Sequence, residues 1–148
     1  MIIRRGQIGD VLKVSRLWLK MVNELAPDYT PNVEWWRSHA EQFLKNGNYS
    51  MFVAEEGGKL VGFLDFFLFY EPSTGKLHGI GQHFYVIPEY RGNCVSGKLY
   101  RNTVKAMKEK GCKVMELFCF DNEKTMWEKK GFVLKRMLLR RELSCLIQ

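Results

Sequence analysis

The stretch Val86-Ile87-Pro88-Glu89-Tyr90-Arg91-Gly92-Asn93-Cys94-Val95-Ser96-Gly97 decides the fold, because it reads as the end of a strand, a turn and the start of a helix. Pro88 cannot donate to a sheet ladder, so it closes the strand before it, Leu77 to Val86, which Gly79 and Gly81 make less regular. From Val95 to Lys110 a helical wheel gathers Val95, Leu99, Tyr100, Thr103, Val104, Ala106 and Met107 on one side. Lys98, Arg101, Asn102, Lys105, Lys108 and Glu109 fall on the other. This is an amphipathic helix with a basic outer face, and Gly111 ends it. Val114 to Phe120 follows as a buried strand. A strand, helix, strand unit crosses over right-handed, which makes the strands at Leu77 and Val114 parallel neighbours. The helix N-terminus then lies at the carboxyl end of the first strand, where unpaired N–H groups and the positive dipole end attract anions. Arg91, the small residues after it and the basic helix make a pyrophosphate the natural ligand.

Upstream, Met1 to Arg5 reads as a short strand. Asp10 caps a helix whose apolar positions Val11, Val14, Trp18, Met21 and Leu25 recur at three- and four-residue steps. After the Pro27 to Pro31 loop, Trp36, Ala40, Phe43 and Leu44 mark a second helix that stops at Asn46-Gly47. Tyr49 to Glu55 and Leu60 to Tyr70 are rich in aromatic and branched residues, with Glu56-Gly57-Gly58-Lys59 as the hairpin turn between them. Downstream, Asn122 to Lys130 reads as a short helix and Phe132 to Glu142 as a last strand. The expected class is α/β, with a single-layer, mixed, mostly antiparallel sheet flanked by helices, in one domain spanning residues 1–148.

Composition fits that class. With 148 residues the chain can bury about two-thirds of its unfolded surface. Leu60 to Tyr70, the most apolar stretch, is too short to span a bilayer and carries Asp65, and no signal-peptide core follows Met1. The four cysteines form no CxxC pair, and the three histidines lack zinc-ligand spacing, so a reduced, cytoplasmic, metal-free protein is expected. The net charge of +7 is uneven, with twelve basic and six acidic side chains over residues 99–148. That surplus suits a small polyanion. A nucleic-acid partner ranks last, because no exposed aromatic platform interleaves with the charges.

V-I-P-E-Y-R-G at Val86 to Gly92 and M-W-E-K-K-G-F at Met126 to Phe132 together resemble the GNAT superfamily of N-acetyltransferases, as a divergent member. The family's main motif is V-x-P-x-Y-R-G-x-G-x-G/A, and its later one L-Y-E-K-L-G-F. The resemblance covers nearly the whole chain in element order. It implies direct transfer of an acetyl group from acetyl-CoA to an amine of a small molecule or peptide, with no metal and no membrane, and it is compatible with a homodimer. The implied cofactor set is Tyr85, Val86, Arg91, Gly92, Asn93, Cys94, Val95, Ser96 and Gly97, joined by Asn122 and Trp127, with the Val86 backbone meeting the pantetheine arm.

Three departures from the pattern matter. Cys94 and Ser96 stand where the family has its smallest residues; since these positions begin a helix, φ is expected to be negative and the crowding to come from the Cβ. Trp127 replaces a Tyr that protonates the departing thiolate, and Asn122 lies two residues closer to Gly131 than the family spacing. The positions that often supply the base are Gln82 and Ile80, neither of which takes up a proton. The base is then His83 displaced by a bulge, His78, Asp65 on the adjacent strand, or a water held by Gln82. Simple strand alternation puts His83 out of phase with Gln82 and leaves Asp65 facing either the acceptor or solvent. Glu24, Asp28 and Glu34 lie in and after the first helix, a region that borders the acceptor site in the resembling family; they read either as selecting a cationic acceptor or as a solvated surface. The rival function is a GNAT-like binding or regulatory module with weak or no catalysis.

Overall fold

The computed structural model describes residues 1–119 and 124–134. The chain divides into two compact units, Met1–Phe118 and Cys119–Gln148.

In the first unit, strands β1 (Ile2–Arg5), β2 (Tyr49–Glu56), β3 (Lys59–Tyr70), β4 (Leu77–Val86) and β5 (Val114–Leu117) form one sheet in that spatial order. The first three junctions are antiparallel, and β4 and β5 run parallel, as the crossover through α3 (Val95–Glu109) requires. The β2–β3 hairpin turns on Gly57 and Gly58, with φ of +54° and +76°, a pair of left-handed angles that glycine adopts without strain. Helices α1 (Val11–Leu25) and α2 (Val33–Lys45) cover one face of the sheet, where Trp18, Trp36, Met51, Phe63 and Tyr85 pack together. Helix α3 covers the other, burying Val95, Leu99 and Met107 against Leu64, Phe66 and Val86.

Three local readings need correction. Asp10 does not cap α1 through its side chain. Its carboxylate takes two hydrogen bonds from Arg4, at 2.7 and 2.9 Å, and one from the Gln7 N–H at 2.8 Å, so α1 starts directly from the 3-10 turn Ile8–Asp10. The Arg4 guanidinium holds that carboxyl below the usual range. The strand read over Val114 to Phe120 ends at Leu117 and is half-exposed, not buried: it sits at the end of the sheet order, with Met115 partly buried against the core on the α3 side.

The β3–β4 register breaks once: Leu64 faces Phe84 and Phe66 faces Gly81, so Asp65 stands opposite two residues, Gln82 and His83. This is a bulge in β4. Beyond it the β4–β5 ladder stops, the last pair being Gly81 with Leu117. Residues 84–86 therefore lie past the last β4–β5 pair.

In the second unit, α4 (Lys124–Glu128) carries Trp127, which is buried and meets the Phe132 ring at 5.5 Å, edge to face. Gly131, with φ +87°, ends this helix, and the Phe132 N–H bonds to the Trp127 carbonyl at 3.2 Å. Residues 132–134 are not in a strand; the remainder of the expected last strand, and Asn122, lie outside the described residues. Among the described residues no helix is long and apolar enough to cross a membrane, and no cluster of His, Cys, Asp or Glu could hold a metal.

Candidate active site

At the end of β4 the chain passes through the 3-10 turn Pro88–Tyr90, swings at Gly92 (φ +83°) and enters α3 through Cys94. The N–H groups of Val95, Ser96 and Gly97 open the helix, where no intrahelical acceptor exists for them. No side chain caps them from Cys94. An anion can be held there, as the sequence implied.

Cys94 itself corrects the sequence reading. Its φ is +59°, left-handed, because it is the N-cap and lies before the helical residues. It is the one non-glycine among the described residues in that region. A side chain there costs about 1–2 kcal/mol, which gives the family glycine a backbone reason.

Arg91 does not point toward those N–H groups. Its Nε donates to the Val86 carbonyl at 2.8 Å, and its two terminal nitrogens clasp Glu24 of α1 at 2.7 and 2.8 Å. The Tyr85 hydroxyl donates to the same carboxylate at 3.0 Å, beneath the guanidinium, which sits 5.4 Å from the Tyr85 ring centre. Arg91, then Tyr85, hold the Glu24 carboxyl below the usual range, while burial and Glu24 push the Tyr85 hydroxyl up. Of the three acidic candidates near α1, all of them exposed, Glu24 is thus drawn to the strand end.

The bulge brings two base candidates together. Asp65 is 1% exposed, so the solvent-facing reading is overturned. Its Oδ1 accepts the His83 main-chain N–H at 2.8 Å, and its Oδ2 lies 2.9 Å from His83 Nδ1. Tyr49, which sequence reasoning missed, donates its hydroxyl to Asp65 Oδ2 at 2.8 Å. The imidazole meets Trp18 and Trp36 edge-on, at 6.3 and 6.4 Å between ring centres, while the two indoles stack on each other at 5.4 Å. The His83 side chain stays 25% exposed. Burial pulls its pKa down, but the charge and hydrogen bond of Asp65 outweigh burial and leave it above the ordinary value. With Nδ1 directed to Asp65, Nε2 is the nitrogen that can receive a proton.

Gln82, the other bulge residue, is exposed. His78 lies at the far end of β4, 3.0 Å from Glu116 and edge-on to Phe69 at 5.4 Å, away from His83. A sequence signal for the dyad did exist. A carboxylate inside the buried run Phe63-Leu64-Asp65-Phe66-Phe67 demands donors, and His83 is a polar residue on the strand that pairs with it.

Comparison with known proteins now bears on this arrangement. The acetyltransferase (GNAT) family matches residues 18–132. The thialysine N-epsilon-acetyltransferase of Sus scrofa is 27% identical over 95% of this chain and 82% of its own length. Among solved structures, a predicted acetyltransferase with acetyl-CoA from Clostridium acetobutylicum superposes with a TM-score of 0.83, at 17% identity, covering 95% of both chains. Glucosamine-6-phosphate N-acetyltransferase from Arabidopsis thaliana gives a TM-score of 0.78 at 20% identity, covering 97% of this chain and 98% of the other. The sheet with its parallel β4–β5 pair, the V-I-P-E-Y-R-G turn and a match over most of the chain lead to one assignment: the protein belongs to the GNAT acetyltransferase family.

Proposed function

We propose that the protein is an N-acetyltransferase that uses acetyl-CoA to acetylate an amine of a small molecule or peptide, with His83 as the base. The observation that carries this reading is the 2.9 Å contact between Asp65 Oδ2 and His83 Nδ1 on a ring still open to solvent. A base needs a free nitrogen and an orienting partner on the other, and His83 has both.

The chain's own residues suit each part of the task. The N–H groups of Val95, Ser96 and Gly97 would hold the pyrophosphate, and an extended arm would run along the end of β4, beyond its last pair with β5. Acetyl-CoA, when bound, supplies an acyl group on a good thiolate leaving group. Main-chain N–H groups near Val86 polarise its carbonyl. His83 Nε2 takes the proton from the amine as the new C–N bond forms and the C–S bond breaks. The name of the Sus scrofa relative, an N-epsilon-acetyltransferase, supports an amine as acceptor.

The test is thiol release from acetyl-CoA over a panel of amines. Turnover is expected, and His83→Gln should lower kcat by about 10²–10⁴-fold while the fold is retained. Absence of thiol release with every amine would overturn the proposal. A second reading, a module that binds without turnover, is favoured by the Arg91 contacts, which occupy the Val86 carbonyl and tie up the loop's arginine. Calorimetry showing acetyl-CoA binding without thiol release would select it.

A further inference from the structure

The proposed reaction uses His83 and Asp65 but leaves Tyr49 without a task. Three donors converge on Asp65: the His83 main-chain N–H on Oδ1, and His83 Nδ1 and the Tyr49 hydroxyl together on Oδ2. The Tyr49 ring is 4% exposed and packed against Phe67 and Phe43, with ring centres at 4.6 and 6.3 Å, so its hydroxyl is fixed in place. Burial, with Asp65 beside it, keeps that hydroxyl protonated far into alkaline solution, where it remains a donor.

Two donors on one oxygen compete. When His83 is protonated, its cation draws the charge of Asp65 and weakens the Tyr49 bond; when His83 is neutral, Tyr49 has more of that charge. Tyr49 therefore stabilises the state with neutral imidazole. Without it, Asp65 would give its charge to the imidazole undivided and hold it protonated, a form unable to accept a proton, to a higher pH. Among the described residues, Asp65 is the charge that acts on the ring. Helices α1 and α2 present the indoles of Trp18 and Trp36, and Glu24 of α1 is taken up by Arg91 and Tyr85.

We infer that Tyr49 is a positioning residue which, through Asp65, keeps His83 in its neutral, proton-accepting form; the inference rests on His83 being the base. The test follows the His83 ring proton by NMR through a pH titration, alongside the pH profile of kcat/KM. Tyr49→Phe keeps the ring packing and should raise the His83 pKa by about half a unit to one unit, a three- to tenfold gain in proton affinity. Asp65→Asn should lower it. 3-Fluorotyrosine at position 49, a stronger donor of nearly the same size, should also lower it, which keeps the idea testable if Tyr49→Phe fails to fold. An NMR shift in these directions with an unmoved kinetic limb sustains the role of Tyr49 and overturns His83 as the base. A His83 pKa that stays put or falls in Tyr49→Phe, or that fails to fall with 3-fluorotyrosine, overturns the inference itself.

Discussion

At Cys94 a side chain occupies a backbone conformation that glycine adopts freely. Cys94→Gly should therefore raise stability by about 1 kcal/mol in chemical denaturation, and Cys94→Val should lower it by at least as much. His83 makes a second residue-level prediction with a definite sign. Its folded pKa lies above the ordinary 6.5, so the His83–Asp65 pair adds stability that is fully present below pH 6.5 and is lost as pH rises through the folded value. Denaturation midpoints measured across that window should fall in the wild type and stay flatter in His83→Gln. Activity runs the opposite way, since the base must be neutral. At this scale the sequence named Asp65 and His83 separately. Their contact was hidden because period-two alternation does not reveal where a bulge falls. Cys94 was misread because a cap looks like the first residue of the helix it precedes.

Among the elements, Glu24 joins the end of α1 to β4 and the following turn through Arg91 and Tyr85. The ion pair is exposed, so Glu24→Gln should change stability by less than about 1 kcal/mol. Its effect on the cofactor should be larger. Freed from Glu24, Arg91 can turn to the phosphates, and calorimetry should show acetyl-CoA binding severalfold more tightly; an unchanged affinity would mean that Glu24 is a structural tie alone. The elements were largely legible, since α1, α2 and α3 follow from apolar spacing and the β2–β3 hairpin from Gly57-Gly58. Their ends were less so. Asp10 went to Arg4 on the neighbouring strand β1 instead of capping α1, and β5 stopped at Leu117 where its pairing with β4 ends; neither partner shows in the local apolar pattern.

On the scale of the molecule, the crossover read from the sequence required the parallel β4–β5 junction, and the V-I-P-E-Y-R-G turn leads into α3, where the anion site is proposed. What sequence could not show was the consequence of ending that ladder at Gly81. The same bulge that turns His83 toward Asp65 comes just where β5 leaves β4, so the proposed base lies directly before the strand end that β5 does not reach. The proposal that β4 holds the base of an acetyltransferase meets its sharpest test in acetyl-CoA-dependent thiol release, measured as kcat/KM against pH for the wild type and His83→Gln. The wild-type rate should rise through a pKa above 6.5, and the variant should be slower by about 10²–10⁴-fold and lack this limb. A variant that keeps both the rate and the limb would contradict it.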